Sequence, residues 1–140
     1  MPKRPQITAD LTITEAFRTI AAWRGHRTAI VTPSERISYD QLDQRISQVA
    51  ANLARLGLDK GDHLVTLLWS QPEFVYTFFA AAELGLVLFP LPPRMRRPQL
   101  ENYLEEIRPA MVIAPAAIEI PKGVEALQRL QGALPGVDHL

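Results

Sequence analysis

Apolar positions along this chain change their spacing from one stretch to the next, and each spacing predicts an element. Phe17, Ile20, Ala21 and Trp23 share one helical face. Thr12 and Glu15 before them have capping-box spacing, so a helix starts near Thr12 or Thr14, and Gly25 stops it. "TAIVTPSERISY" reads as a hairpin. Thr28 to Val31 run out, Pro33 and Ser34 turn, and Arg36 to Tyr39 return. In "SYDQLDQRISQVAANLARLG", Leu42, Ile46, Val49, Leu53 and Leu56 fall on one helical face. Ser38 and Gln41 are a second capping-box pair, Asp40 is a competing cap, and Gly57 ends the helix.

The centre is more apolar. From His63 to Pro93 the only formally charged side chains are Glu73 and Glu83. Lys60, Gly61 and Asp62 turn into Leu64–Trp69, apolar except for Thr66, which suits a strand covered on both faces. Ser70 is the expected cap of the next helix, with Glu73 as its capping-box partner and Trp69 and Phe74 in staple positions. That helix, Pro72–Leu84, is apolar nearly all round and calls for burial on several sides; Gly85 ends it. "LVLFPL" is a second buried strand, with Pro90 near its end. A polar helix from Pro98 to Ile107 turns Leu100, Tyr103, Leu104 and Ile107 inward, and Pro109 stops it. "AMVIA" is a third buried strand, and Val124, Leu127 and Leu130 mark a last helix.

Strand and helix alternate, which predicts an α/β fold: a parallel βαβαβ core with right-handed crossovers, preceded by a helix and a β-hairpin. "LPGVDHL" reads as a turn entering a new strand. Together with the nearly all-apolar helix, it suggests an incomplete domain truncated near residue 140. The alternative is a compact domain with a frayed tail.

Composition narrows the function. Fifteen Lys and Arg balance fifteen Asp and Glu, which argues against a general binder of nucleic acid or membrane surfaces. The absence of cysteine excludes disulfides, thiol nucleophiles and thiolate metal sites. The N-terminal stretch has no apolar signal core, and Pro72, Glu73, Glu83 and Pro90 break the apolar centre, so no membrane span is expected. A cytoplasmic location is the expectation.

Candidate chemistry is sparse. There is no G-x-x-x-x-G-K-[ST] phosphate loop and no G-x-S-x-G elbow. His26, His63 and His139 lack metal spacing and read as surface or turn residues. Asp40 and Asp43 read as helix-start charges. Phe74, Tyr76, Phe78 and Phe79 read as core packing ahead of an acyl or aryl pocket. Arg94, Arg96 and Arg97 stand out. Cations before a helix start oppose its dipole, and an anion would reconcile them; a solvated loop paired with Glu101 is the alternative.

The stretch from Arg27 to Arg94 resembles the N-terminal part of AMP-forming acyl-CoA synthetases, the adenylate-forming ligases. Those enzymes show T-Y-x-E-L, G-D-x-V, N-x-P-E-F, an apolar helix ending in A-G, and P-L-N-P-R, in that order. The counterparts here are Ser38-Tyr39-Asp40-Gln41-Leu42, Gly61-Asp62-His63-Leu64, Ser70-Gln71-Pro72-Glu73-Phe74, Leu84-Gly85 and Pro90-Leu91-Pro92-Pro93-Arg94. The resemblance covers about residues 12 to 115, and its order and spacing carry it.

The resemblance implies that residues 1–140 are the N-terminal part of an adenylation domain. It also implies a two-step reaction. A small carboxylic acid attacks the α-phosphate of ATP, with Mg²⁺, giving acyl-AMP and pyrophosphate; a thiol, usually coenzyme A, then takes the acyl group. The phosphate loop, the adenine and ribose contacts and the catalytic lysine of such enzymes lie beyond residue 140, so the piece alone is expected to be inactive and to hold no cofactor. Its first partner would be the remainder of its own domain, with oligomerisation left open. Arg94 takes the place of an arginine that in some aryl-CoA ligases reaches a phosphate of coenzyme A. Ser70 and Pro92 depart from the usual Asn. "PLPPR" is also similar to ligases that load carrier proteins. A non-catalytic α/β binding or assembly module is the reading from a different class.

Overall fold

The computed structural model describes residues 4–115. In order these form α1 (Ile13–Arg24), β1 (Thr28–Val31), β2 (Arg36–Ser38), α2 (Tyr39–Arg55) and β3 (His63–Thr66), then α3 (Pro72–Leu84), β4 (Val87–Pro90), α4 (Arg97–Ile107) and β5 (Met111–Ile113). The helix expected around Val124–Leu130 and the strand expected from "LPGVDHL" lie outside the described residues.

Local chemistry sets the first two helix starts. At α1 the Glu15 amide donates to Thr12 Oγ1, while the Glu15 carboxylate accepts from the Thr12 amide and hydroxyl. At α2 the Gln41 amide donates to Ser38 Oγ, and the Ser38 amide donates to Gln41 Oε1. Each reciprocal pair satisfies donors that a helix start otherwise leaves open. Gly25 caps α1 in a right-handed conformation. Its need to be small comes from Asp40, whose carboxylate occupies the space that a Cβ would take.

The strands β1 and β2 pair antiparallel, with a bulge between Thr28 and Ile30. The other sheet is parallel with order β4-β3-β5. Alternation along β3 divides the core between its two faces. Leu64, with Met111 and Ile113, packs against Leu42, Ile46, Val49 and Leu53 of α2 and Tyr76 and Ala80 of α3. Val65, Leu67 and Val112 pack against Leu100, Leu104 and Ile107 of α4. Thus α3 and α4 cover opposite faces. Placing α3 and α4 on opposite faces is what right-handed crossovers require when β4 and β5 lie on opposite sides of β3. Truncating fully buried Leu53 or Ile46 to Ala would cost about 2–5 kcal/mol.

Several expectations are corrected. The strand β3 ends at Thr66, and Trp69 is 42% exposed. The N-cap of α3 is Gln71, with no side-chain cap bond. Pro72, with φ fixed and no N–H, occupies the first helical turn and moves the start one residue past Ser70, so Trp69 and Phe74 fall out of staple register. Tyr103 and Leu56 face outward, 41% and 39% exposed. Val87 is also exposed, because β4 lies at an edge of the sheet among the described residues. His63 is a half-buried strand residue; its Nδ1 lies 2.7 Å from the Ile107 carbonyl, and its ring meets the edge of Phe89.

Candidate functional site

Parallel strands end together, and their carboxyl ends form the edge where open α/β sheets bind ligands. The last register pair of β3 and β4 is Thr66 with Pro90, and the Leu91 amide still donates to the Thr66 carbonyl at 2.8 Å. Past this row the chains diverge. One continues through buried Leu67 and Leu68 to Trp69; the other runs through Leu91, Pro92 and Pro93 to Arg94. A turn closed by the Met95 amide on the Pro92 carbonyl, at 3.1 Å, re-aims the second chain into α4. Both routes leave the same edge and meet again there. The Arg94 Cζ lies 5.1 Å from the centroid of the Trp69 ring. This is cation–π distance.

The arginine group is therefore divided. Arg97 Nε donates to Glu101 Oε1 at 2.9 Å, one helical turn on. Arg96 is the N-cap of α4 and makes no side-chain cap bond. Arg94 lies over an aromatic face instead of beside a carboxylate. An aromatic face holds a guanidinium without neutralising it, and the N–H donors in its plane keep their reach. Of the three cations, Arg94 is the one that lies on an aromatic face. The pairing with Glu101 holds for Arg97 alone.

Two polar atoms near this end are buried without a hydrogen-bond partner among the described residues: Thr66 Oγ1 and Gln71 Nε2. Gln71 borders an open cleft of about 280 Å³ between the hairpin and α3, lined also by Ile30, Val31, Thr32 and Phe74.

The other candidates are structural. Phe17, Phe79 and Phe78 stack in series, with centroids 4.7 and 5.3 Å apart. Tyr76 is buried and accepts a 2.6 Å hydrogen bond from Arg45. Only Phe74 of the central aromatic set borders the cleft. Asp43 lies 3.8 Å from Arg18, which also bonds Glu83 of α3 at 2.9 Å. His26 is exposed, and His139 lies outside the described residues. Among the described residues no three His, Asp or Glu side chains could together hold a metal ion, and no helix is long and apolar enough to cross a membrane. The contact of Trp69 with Arg94 is not visible in the sequence. Its one signal is a large aromatic three residues past β3 and three before a proline.

Comparison with known proteins bears on the family and the fold. Crotonobetaine/carnitine–CoA ligases of Shigella flexneri and Escherichia coli are 30% identical over 97 residues, covering 66% of this chain and 19% of each relative. The chain thus spans about a fifth of the length of those relatives. NpsA of Klebsiella oxytoca in complex with 3-hydroxyanthranilyl-AMSN has the same fold, with a TM-score of 0.81 at 20% identity over 94% of this chain and 26% of that one. An artificially fused NpsA–ThdA adenylation–PCP di-domain gives a TM-score of 0.78 at 21% identity, over 84% and 22% of the two chains. Residues 17–139 match the family described as AMP-binding enzyme. With its parallel core and the order of its elements, the chain belongs to that family, the adenylate-forming ligases, and represents an N-terminal portion of one.

Proposed function

We propose that residues 1–140 are the N-terminal part of the adenylation domain of an ATP-dependent carboxylic acid:CoA ligase, whose remaining domain follows residue 140. The ligase forms an acyl-AMP from a small carboxylic acid and ATP, then passes the acyl group to coenzyme A. ATP and coenzyme A are both cytoplasmic, which supports a cytoplasmic location. Coenzyme A is favoured over a carrier protein because the 30%-identical relatives are named CoA ligases, whereas the adenylation–PCP neighbour shares the fold alone.

The observation that carries this reading is Arg94, its guanidinium lying over Trp69 at the carboxyl edge of the sheet. An exposed guanidinium with its donors in reach fits a phosphate of coenzyme A. Coenzyme A supplies the thiol that accepts the acyl group; Arg94 binds and orients it. No described residue is assigned to Mg²⁺ or to the α-phosphate of ATP.

The test is Arg94→Ala in the full-length ligase. It removes a charge-assisted contact worth about 1.5–3 kcal/mol, so KM for coenzyme A should rise about tenfold or more. Carboxylate-dependent exchange of pyrophosphate into ATP should stay unchanged. Loss of both half-reactions would make the loop structural; loss of neither would remove Arg94 from the site.

A further inference from the structure

We infer that Trp69 is the positioning residue for Arg94; this rests on the coenzyme A reading above. A loop arginine in water explores many rotamers, and ordering it on binding costs affinity. Here the freedom is removed in two places. Pro93 restricts the backbone before Arg94, and Met95, packed against the α4-side core, anchors the backbone after it. The side chain lies over the Trp69 ring, which arrives from the segment that follows β3.

Trp69 stands partly exposed at this edge. It follows buried Leu68, yet 42% of its own surface is exposed. A guanidinium over its face accounts for an indole at that place. The contrast with Arg97 shows why the partner is aromatic. Glu101 holds Arg97 by occupying its donors with an opposite charge, and an acidic partner would compete with an incoming phosphate. An indole fixes the guanidinium and leaves its charge and in-plane donors for the ligand. The strand ends thus place one residue that binds and another that orients it.

The first measurement needs no turnover. The 140-residue chain has two tryptophans, so in that chain carrying Trp23→Phe the emission reports Trp69 alone. Adding Arg94→Ala should shift or brighten that emission; no change overturns the contact. The second measurement is calorimetric binding of coenzyme A to the full-length ligase. Trp69→Leu should weaken binding about two- to fivefold, while Trp69→Phe, which keeps an aromatic face, should stay within about twofold of the parent. Arg94→Ala should weaken it more, and adding Trp69→Leu to Arg94→Ala should cost nothing further. Pyrophosphate exchange should be unaffected in every variant. If Arg94→Ala weakens binding and Trp69→Leu does not, the positioning role falls alone. If Arg94→Ala leaves binding intact, the coenzyme A reading falls and takes this inference with it. A double variant weaker than Arg94→Ala, or a loss of exchange in Trp69→Leu, would instead make Trp69 a direct contact or a structural residue.

Discussion

The Nη1 of Arg45 donates a 2.6 Å hydrogen bond to the hydroxyl of Tyr76. The same guanidinium holds the Glu35 carboxylate through two bonds of 3.3 and 3.1 Å. One side chain of α2 therefore ties the hairpin to α3. Burial pushes the Tyr76 phenol above its ordinary pKa, and the bond from Arg45 pulls against that rise. Removing Arg45 leaves a buried hydroxyl without its donor. Arg45→Ala should therefore lower stability to urea by about 1–3 kcal/mol, and Tyr76→Phe by about 0.5–1.5 kcal/mol. Equal, negligible losses in both would show the bridge to be ornamental.

The capping box at α1 should make stability depend on pH. The Glu15 carboxylate is held below its ordinary pKa by the Thr12 amide first and the Thr12 hydroxyl second. A lowered folded pKa contributes stability above the unfolded value, and that contribution fades as pH falls through the folded value. The difference in urea midpoint between the parent and Glu15→Ala should therefore shrink on acidification from about pH 7 to about pH 3. A difference that stays constant would separate Glu15 from the cap.

Gly85 closes α3 with φ +70°, letting the Leu86 amide reach the Ala81 carbonyl at 2.9 Å. A side chain there is strained, and its Cβ would stand 2.9 Å from Lys60 Cγ. Gly85→Ala should cost about 1–2 kcal/mol, and Gly85→Asn less, because Asn tolerates the left-handed region. Thermal midpoints of the three proteins would rank them.

The uncapped start of α3 can be improved. Gln71 is already extended, with φ −141° and ψ 162°, and its amide nitrogen is buried without a partner among the described residues. Gln71→Asp should stabilise by about 0.5–1 kcal/mol by supplying a cap that also complements the helix dipole. Ser70→Ala, one residue outside the helix, should change little. The opposite ranking in urea would restore Ser70 as the cap.

The isolated 140-residue chain should show no carboxylate-dependent exchange of pyrophosphate into ATP, because it holds no Ser/Thr/Gly-rich phosphate loop for the triphosphate. Radiolabelled exchange above a buffer blank, in protein freed of host ligases, would refute this.

What was legible in the sequence was what local spacing encodes. Ser38 and Gln41, or Thr12 and Glu15, find each other three residues apart whatever the rest of the chain does. The same holds for Gly85, whose place depends only on its own helix. The misreadings arose where tertiary contacts decide. Tyr103 has helical spacing toward the core, yet the buried residues of α4 are Leu100, Leu104 and Ile107, and Tyr103 stays exposed. Ser70 is the local exception: Pro72, two residues on, sets the helix start after Gln71. At the candidate site, Arg94 was visible as the end of Pro-Leu-Pro-Pro-Arg. Its partner Trp69 was not, because only the parallel pairing of β3 with β4 brings these distant residues together.

That pairing also sets an order of opening. Among the described strands β3 alone has a neighbour on both sides. Either flanking strand can fray while β3 keeps half of its ladder, so its amides from Leu64 to Thr66 belong to the last unit of the sheet to exchange hydrogen for deuterium. The carboxyl edge that carries Trp69 is continuous with this slow centre. The Arg94 loop leaves from the faster rim, and the cation–π contact joins a slowly exchanging side of the site to a quickly exchanging one.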